Sequence, residues 1–125
     1  MGKLHLKAKK NSPEVYLCIE ECLFKIRGSS YSDRAYEDIY SKILKWIDEE
    51  LMNLECELNC EFFIDIMNSI SYKNVMQVMI KLVNYYKTGK NITITWFFEG
   101  DDEDNEELAH DMSNLFDIPF NVNAV

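Results

Sequence analysis

The chain has 125 residues, 47% of them hydrophobic, which is enough for one domain with a real core and too few for two comfortable ones. Lys and Arg number 13 against 22 Asp and Glu. The resulting net charge of −9 repels phosphate backbones and anionic lipid, which argues against nucleic acid and membrane as partners and leaves a basic protein partner in view.

No apolar run approaches a membrane span, and Met1-Gly2-Lys3-Leu4-His5 lacks the apolar stretch of a secretory signal, so a cytoplasmic protein is expected. Leu6 stands where a myristoylation pattern needs Ser or Thr.

Alternation predicts a short strand from Leu4 to Ala8, a turn at Asn11-Ser12-Pro13, and two further strands, Val15 to Ile19 and Leu23 to Arg27, the last ended by Gly28-Ser29-Ser30. Tyr36, Ile39, Tyr40, Ile43, Trp46, Ile47 and Leu51 then recur at helical spacing and define a first helix. Cys56, Leu58, Cys60, Phe62, Ile64 and Ile66 recur every second residue between mostly polar neighbours, as in a strand with one buried face. Phe63 is the one apolar residue among the polar places.

From Val75 the period changes to three and four, through Val78, Met79, Leu82, Val83 and Tyr86, and this second helix should stop near Lys87-Thr88-Gly89 with glycine at a left-handed cap. Asn91 to Phe98 alternates again, with Ile92, Ile94, Trp96 and Phe98 on one face and Thr93, Thr95 and Phe97 on the other. A helix separates this strand from the long one, so the two should lie parallel and adjacent. The acidic run Glu99 to Asp104 leads into a third helix expected to turn Leu108, Met112, Leu115 and Phe116 inward. After Pro119, Phe120 and Val122 alternate as a last strand.

The order βββαβαβαβ describes one α/β (α+β) domain over residues 1–125, a mixed sheet of about five strands covered mainly on one face.

Chemistry is sparse along this chain. His5 and His110 sit in no nucleophile or metal pattern, so no catalytic residue and no enzyme is expected. Four glycines cannot build a phosphate-cradling loop of the P-loop or dinucleotide kind, so nucleotide binding is not expected and no cofactor is assigned. Counted from Asp101, the sixth and twelfth places are Glu106 and Met112, not the Gly and Glu of a calcium loop.

The four cysteines form two Cys-x-x-x-Cys pairs, Cys18 with Cys22 and Cys56 with Cys60. On a strand the second pair would lie roughly 13 Å apart at about 3.3 Å per residue, too far to hold one ion. They are read as buried thiols, with a metal or thiol protein as the rival, and the metal assignment is none.

The joint Asn68-Ser69-Ile70-Ser71 carries the most information. A hydroxyl where a strand feeds a helix has backbone N–H groups and the positive end of the helix dipole beside it, so an added phosphate is accommodated there. Ser69 is the candidate switch and Ser71 the second choice; the plain alternative is that both are turn and N-cap residues. The apolar arc of the second helix widens to about 200° once Tyr72, Met76 and Ile80 are included, more than one buried face needs. That flank is either a docking surface or the bed of a neighbouring helix.

Several blocks resemble, in order and spacing, those of the SiaC-type regulatory phosphoproteins, whose fold is similar to the STAS, or anti-sigma-factor-antagonist, domain. They are Ser12-Pro13-Glu14-Val15, Gly28-Ser29-Ser30-Tyr31, Ile43-Leu44-Lys45-Trp46-Ile47, Asn68-Ser69-Ile70-Ser71-Tyr72-Lys73, Gly89-Lys90-Asn91-Ile92-Thr93-Ile94-Thr95-Trp96-Phe97-Phe98 and Phe116-Asp117-Ile118-Pro119-Phe120.

The resemblance implies a non-catalytic phosphoprotein served by a dedicated kinase and a PP2C-like phosphatase, whose unmodified form binds an effector such as a diguanylate cyclase. It places the acceptor at Ser69, where the family has threonine, with Ile70 in place of the first serine that follows. With the helix flank described above, the docking surface expected on this reading is Asn68, Ser69, Ile70, Ser71, Tyr72, Lys73, Met76 and Ile80. An anti-sigma-factor antagonist in a partner-switching system is the alternative.

Overall fold

A computed structural model describes residues 2–31 and 37–125. The expected start of the first helix at Tyr36, and Ser32-Asp33 before it, lie outside the described residues. The strands are β1 (Lys3–Leu6), β2 (Glu14–Cys18), β3 (Leu23–Ser30), β4 (Leu58–Met67), β5 (Ile92–Phe98) and β6 (Phe120–Ala124). The helices are α1 (Glu37–Glu50), α2 (Ser69–Lys87) and α3 (Glu103–Leu115), and a 3-10 turn, Leu51–Asn53, follows α1.

All six strands form one sheet in the order β1-β2-β3-β4-β5-β6, so the expected count of about five is corrected to six. The first three strands pair antiparallel, and β3 with β4, β4 with β5 and β5 with β6 pair parallel. Tight turns suffice for the antiparallel part, and each parallel step carries a helix, as such connections require.

One face of the sheet is covered. Val15, Leu17, Phe24, Ile26, Leu58, Cys60, Phe62, Ile64, Ile92, Ile94, Trp96 and Phe98 are buried beneath the helices, while Tyr16, Lys25, Glu61, Phe63, Thr93, Thr95 and Phe97 on the alternate places stay half-exposed. The centre is aromatic. Phe24 lies 5.9 Å from Trp46 and 5.8 Å from Phe62, and Phe62 stacks on Trp96 at 5.6 Å. Truncating such a ring to alanine costs about 3–5 kcal/mol, so this row dominates the core.

α1 and α2 pack side by side over the sheet, and Lys81 of α2 bonds both carboxylate oxygens of Asp48 at 2.8 Å. α2 ends at Lys87, with Gly89 at φ +105 beyond the cap residue Thr88, in the left-handed conformation expected for it.

Three local expectations are corrected. β3 runs on through Gly28 to Ser30 with an irregularity in its pairing to β4, because the backbone bulges there instead of ending. Ile66 is 52% exposed, since the last residues of β4 run past the helix layer. Leu115 is 64% exposed, and Asn105 and Ala109 fill the inward stripe of α3 with Met112. Asn105 tolerates burial because its amide donates to Ile64 O at 2.9 Å and its carbonyl accepts from Trp96 Nε1 at 2.7 Å.

The cysteine reading is also corrected. Cys22 and Cys56 form a disulfide with their Cα atoms 6.3 Å apart, and only Cys18 and Cys60 are free, buried thiols. Cys56 precedes β4 and does not lie in it. Burial pushes the Cys60 thiol well above its usual pKa, which keeps it protonated and inert.

Among the described residues no helix is long and apolar enough to cross a membrane, and no group of three or more His, Cys, Asp or Glu is arranged to hold a metal ion.

Candidate functional site at the start of helix α2

β4 and α2 meet with a single residue between them, Asn68, and that residue is the N-cap. Its backbone is extended (φ −83, ψ 176), its side-chain carbonyl accepts from Ser71 N at 2.9 Å, and its backbone carbonyl accepts from Tyr72 N at 2.9 Å. Neither serine caps the helix. Asparagine satisfies an otherwise orphaned donor there, a role worth about 1 kcal/mol.

The two serines face opposite environments. Ser69, the first residue of α2, is exposed. Ser71 is fully buried, and its Oγ accepts from Ser30 Oγ at 2.8 Å. Ser30 Oγ in turn lies 2.6 Å from Tyr40 OH, so a buried hydroxyl chain ties the end of β3, α1 and the first turn of α2 together. The backbone adds to it, Asn68 N donating to Ser30 O at 3.3 Å. Burial raises the Tyr40 phenol above its ordinary pKa, and the bond to Ser30 offsets part of that rise.

Ser69 lies at the edge of a groove of about 550 Å³ between the ends of β4, α2 and α3. Ile64, Ile66, Met67, Tyr72 and Leu108 give it an apolar lining, and Asp65, Asp102 and Asp104 give it acidic edges. Asp102 caps α3 by accepting from Asn105 N at 3.1 Å, and Asp65 accepts from Ser29 Oγ at 3.1 Å and from Ile66 N at 3.0 Å. These bonds hold both carboxylates in place. The groove opens at the carboxyl ends of β4 and β5, the edge at which open parallel sheets gather their ligands.

The residues anticipated for docking fall into two groups. Ser69, Ile70, Tyr72, Lys73 and Ile80 are exposed, and Asn68 and Met76 are half-buried, with Met76 packed against the core. Ile80 is 49% exposed, so the flank carrying Tyr72 and Ile80 is open to solvent rather than covered by a neighbouring helix. Ser71 alone is sealed beneath this surface. The groove contribution of α3, Asp102, Asp104 and Leu108, lay beyond sequence reasoning. Its one legible trace was the acidic run before the helix.

Comparison with known proteins gives a consistent picture. The model of a family described as SiaC family regulatory phosphoprotein matches residues 6–125. An uncharacterized protein of Pseudomonas aeruginosa strain UCBPP-PA14 is 21% identical over 124 residues, covering 99% of this chain and 98% of that protein. Apo-SiaC from P. aeruginosa superposes with a TM-score of 0.88 at 21% identity, covering 99% of this chain and 100% of that one. A crystal structure of the diguanylate cyclase SiaD in complex with its activator SiaC, from the same organism, gives a TM-score of 0.90 at 20% identity over 98% of this chain and 99% of that one.

Proposed function

Because the chain belongs to the SiaC family of regulatory phosphoproteins, we propose that it is a non-catalytic switch that docks an effector through the start of α2 and is turned by phosphorylation of Ser69. The observation that carries this reading is the contrast between the serines: the Ser69 hydroxyl is exposed at the edge of a groove, and the Ser71 hydroxyl is buried and bonded. A transferase reaches only the first.

Electrostatics supply the mechanism. A phosphoryl group adds about −1.5 to −2 charges, and its attraction to an exposed helix N-terminus is worth about 0.3–1 kcal/mol. Lys73 follows one turn later on the same face of α2, within reach of such a group. The free protein therefore tolerates the modification. Docking does not: Asp65, Asp102 and Asp104 already make the groove acidic, and covering a dianion with an apolar partner costs several kcal/mol, each 1.4 kcal/mol weakening binding about tenfold.

A diguanylate cyclase is the effector this reading favours, since SiaC of P. aeruginosa is the activator of the cyclase SiaD in the complex above. A protein kinase and a PP2C-like phosphatase complete the cycle. The test is incubation with the cognate kinase and ATP, phosphosite mapping by mass spectrometry, and affinity capture with Ser69→Ala and Ser69→Asp forms. A phosphate mapped away from Ser69, or equal capture of a cyclase by both forms, overturns the proposal; recovery of a sigma-factor regulator instead of a cyclase favours the antagonist reading.

A further inference from the structure

The negative charge of this chain is concentrated at one end of the sheet. Residues 1–90 carry 13 Lys and Arg against 13 Asp and Glu, while residues 91–125 carry nine Asp and Glu and neither Lys nor Arg, so the whole net charge of −9 belongs to β5, α3, β6 and the loops between them. Within that stretch Ile118 to Val125, which contains β6, has no charged side chain.

β6 is the outermost strand on its side, and it pairs with β5 in an unbroken register. Ile94 N donates to Pro119 O and Val125 N donates to Phe98 O, both at 2.9 Å. Backbone groups alternate sides along a strand, so residues 119, 121, 123 and 125 face β5, and Phe120, Val122 and Ala124 turn their N–H and C=O groups away from the sheet. Such an edge is a template for another strand, and sheets commonly guard it with lysine, a bulge or a proline within the strand. The opposite edge is guarded in that way, since β1 begins at Lys3 and is followed by Lys7, Lys9 and Lys10. β6 has none of these devices.

α3 packs along β6 more extensively than along β5. Asn105, Ala109 and Met112 face the sheet, and Asp104 and Leu108 line the groove shared with α2. At about 100° per residue, Glu106 therefore occupies the opposite flank, above the outer edge of β6, with Glu103 beside it. Phe120 and Val122 lie on the α3 side of the sheet and are half-buried, whereas Asn121 and Asn123 are exposed on the other face. A strand laid against β6 sets every second side chain on Phe120 and Val122, below the Glu103 and Glu106 carboxylates. Lys or Arg suits both levels, because its methylene stem covers the apolar pair and its cation reaches the carboxylates. A second copy of this chain does not, since its own β6 brings no cation and its α3 adds carboxylates to the same edge.

We propose that β6 takes up an extended segment of a partner protein as an added strand, with Lys or Arg at the alternate positions that face α3. This edge lies on the flank of α3 turned away from the Ser69 groove and is independent of the phosphorylation reading.

The test is titration of the isotope-labelled full chain, at about 0.15 M salt, with the synthetic peptide Lys-Thr-Lys-Thr-Lys-Thr-Lys, and in parallel with a peptide of the same composition in which all lysines precede the threonines. The alternating peptide is expected to saturate with a Kd below about 1 mM, about tenfold tighter than the block peptide, and to slow exchange of the amides of Phe120, Val122 and Ala124 about tenfold or more. Ala124→Pro removes an outward N–H and leaves the ladder to β5 intact, so it should weaken the alternating peptide about tenfold, and Glu106→Gln should weaken it about threefold. N-methylation of alternate peptide nitrogens, which leaves the protein unaltered, should match the effect of the proline. Equal binding of the two peptides, no slowing of exchange at the β6 amides, or indifference to N-methylation reduces the interaction to charge attraction and overturns the proposal. So does the absence of saturation by about 1 mM, or self-association of the chain through the same amides without peptide.

Discussion

Ser30 and Ser71, 41 residues apart in the chain, share a buried hydrogen bond of 2.8 Å that fastens the end of β3 to the first turn of α2. Ser71→Ala removes the acceptor and leaves Ser30 with Tyr40 alone. The expected cost is about 1–2 kcal/mol of stability by urea denaturation, in the range for a buried hydrogen bond. Kinase labelling of the variant should persist, because the exposed hydroxyl next to it is untouched; loss of all phosphate in mass spectra of Ser71→Ala would place the acceptor in the wrong residue.

Asn68→Ala deletes the side chain that accepts from Ser71 N. Removal of such a cap costs about 1 kcal/mol, which for a chain of this size lowers Tm by roughly 3–5 °C. An unchanged Tm would mean that water serves the helix start as well as asparagine does.

Tyr40 gives a pH dependence with a definite sign. Burial raises its phenol above the ordinary 10.0, so above that pH the folded chain holds a proton that the unfolded chain has released, and stability falls as pH rises. Below pH 10 the contribution is complete. Cys60, also raised by burial from 9.0, starts the same decline about one unit earlier. Tyr40→Phe should lose about 0.5–1.5 kcal/mol at neutral pH, for the missing bond to Ser30, yet show a flatter loss above pH 10. Parallel curves for the two proteins in alkaline denaturation would contradict the assignment.

The Cys22–Cys56 disulfide joins the β2–β3 turn to the segment before β4 and closes a loop across 34 positions. Chain entropy puts its worth at no more than about 4 kcal/mol. Reduction with a dithiol, or Cys56→Ser, should therefore shift the urea midpoint downward, while Cys18→Ser, which removes a free thiol, leaves the shift on reduction intact. Identical midpoints with and without reductant would show that the bond adds nothing in solution.

The elements with strong periodicity were legible in the sequence. The parallel pairing of β4 and β5 followed from the helix between them, and the stop of α2 from Gly89. Pairings that depend on the third dimension were not. Nothing in a period of two or three brings Cys22 to Cys56; the approach follows from the pairing of β3 with β4, where Asn59 N donates to Cys22 O at 2.9 Å. Leu115, expected inward, is exposed, and the burial of Asn105 was not legible because polarity argues against burial until Trp96 and Ile64 supply partners for the amide. Position Ser69 was readable as a strand-to-helix joint, but the burial of Ser71 needed Ser30 and Tyr40 to be located. Phe63, the odd apolar residue of β4, was visible from the first, and its neighbours across the open face were not.

The cap supplied by Asn68 has a consequence for timing. Since the opening turn of α2 is closed by a residue that no kinase modifies, the proposed mark on Ser69 would repaint the surface and leave the scaffold standing. Under that proposal, writing and erasing would run at the speed of encounter with two enzymes, with no refolding step to wait for.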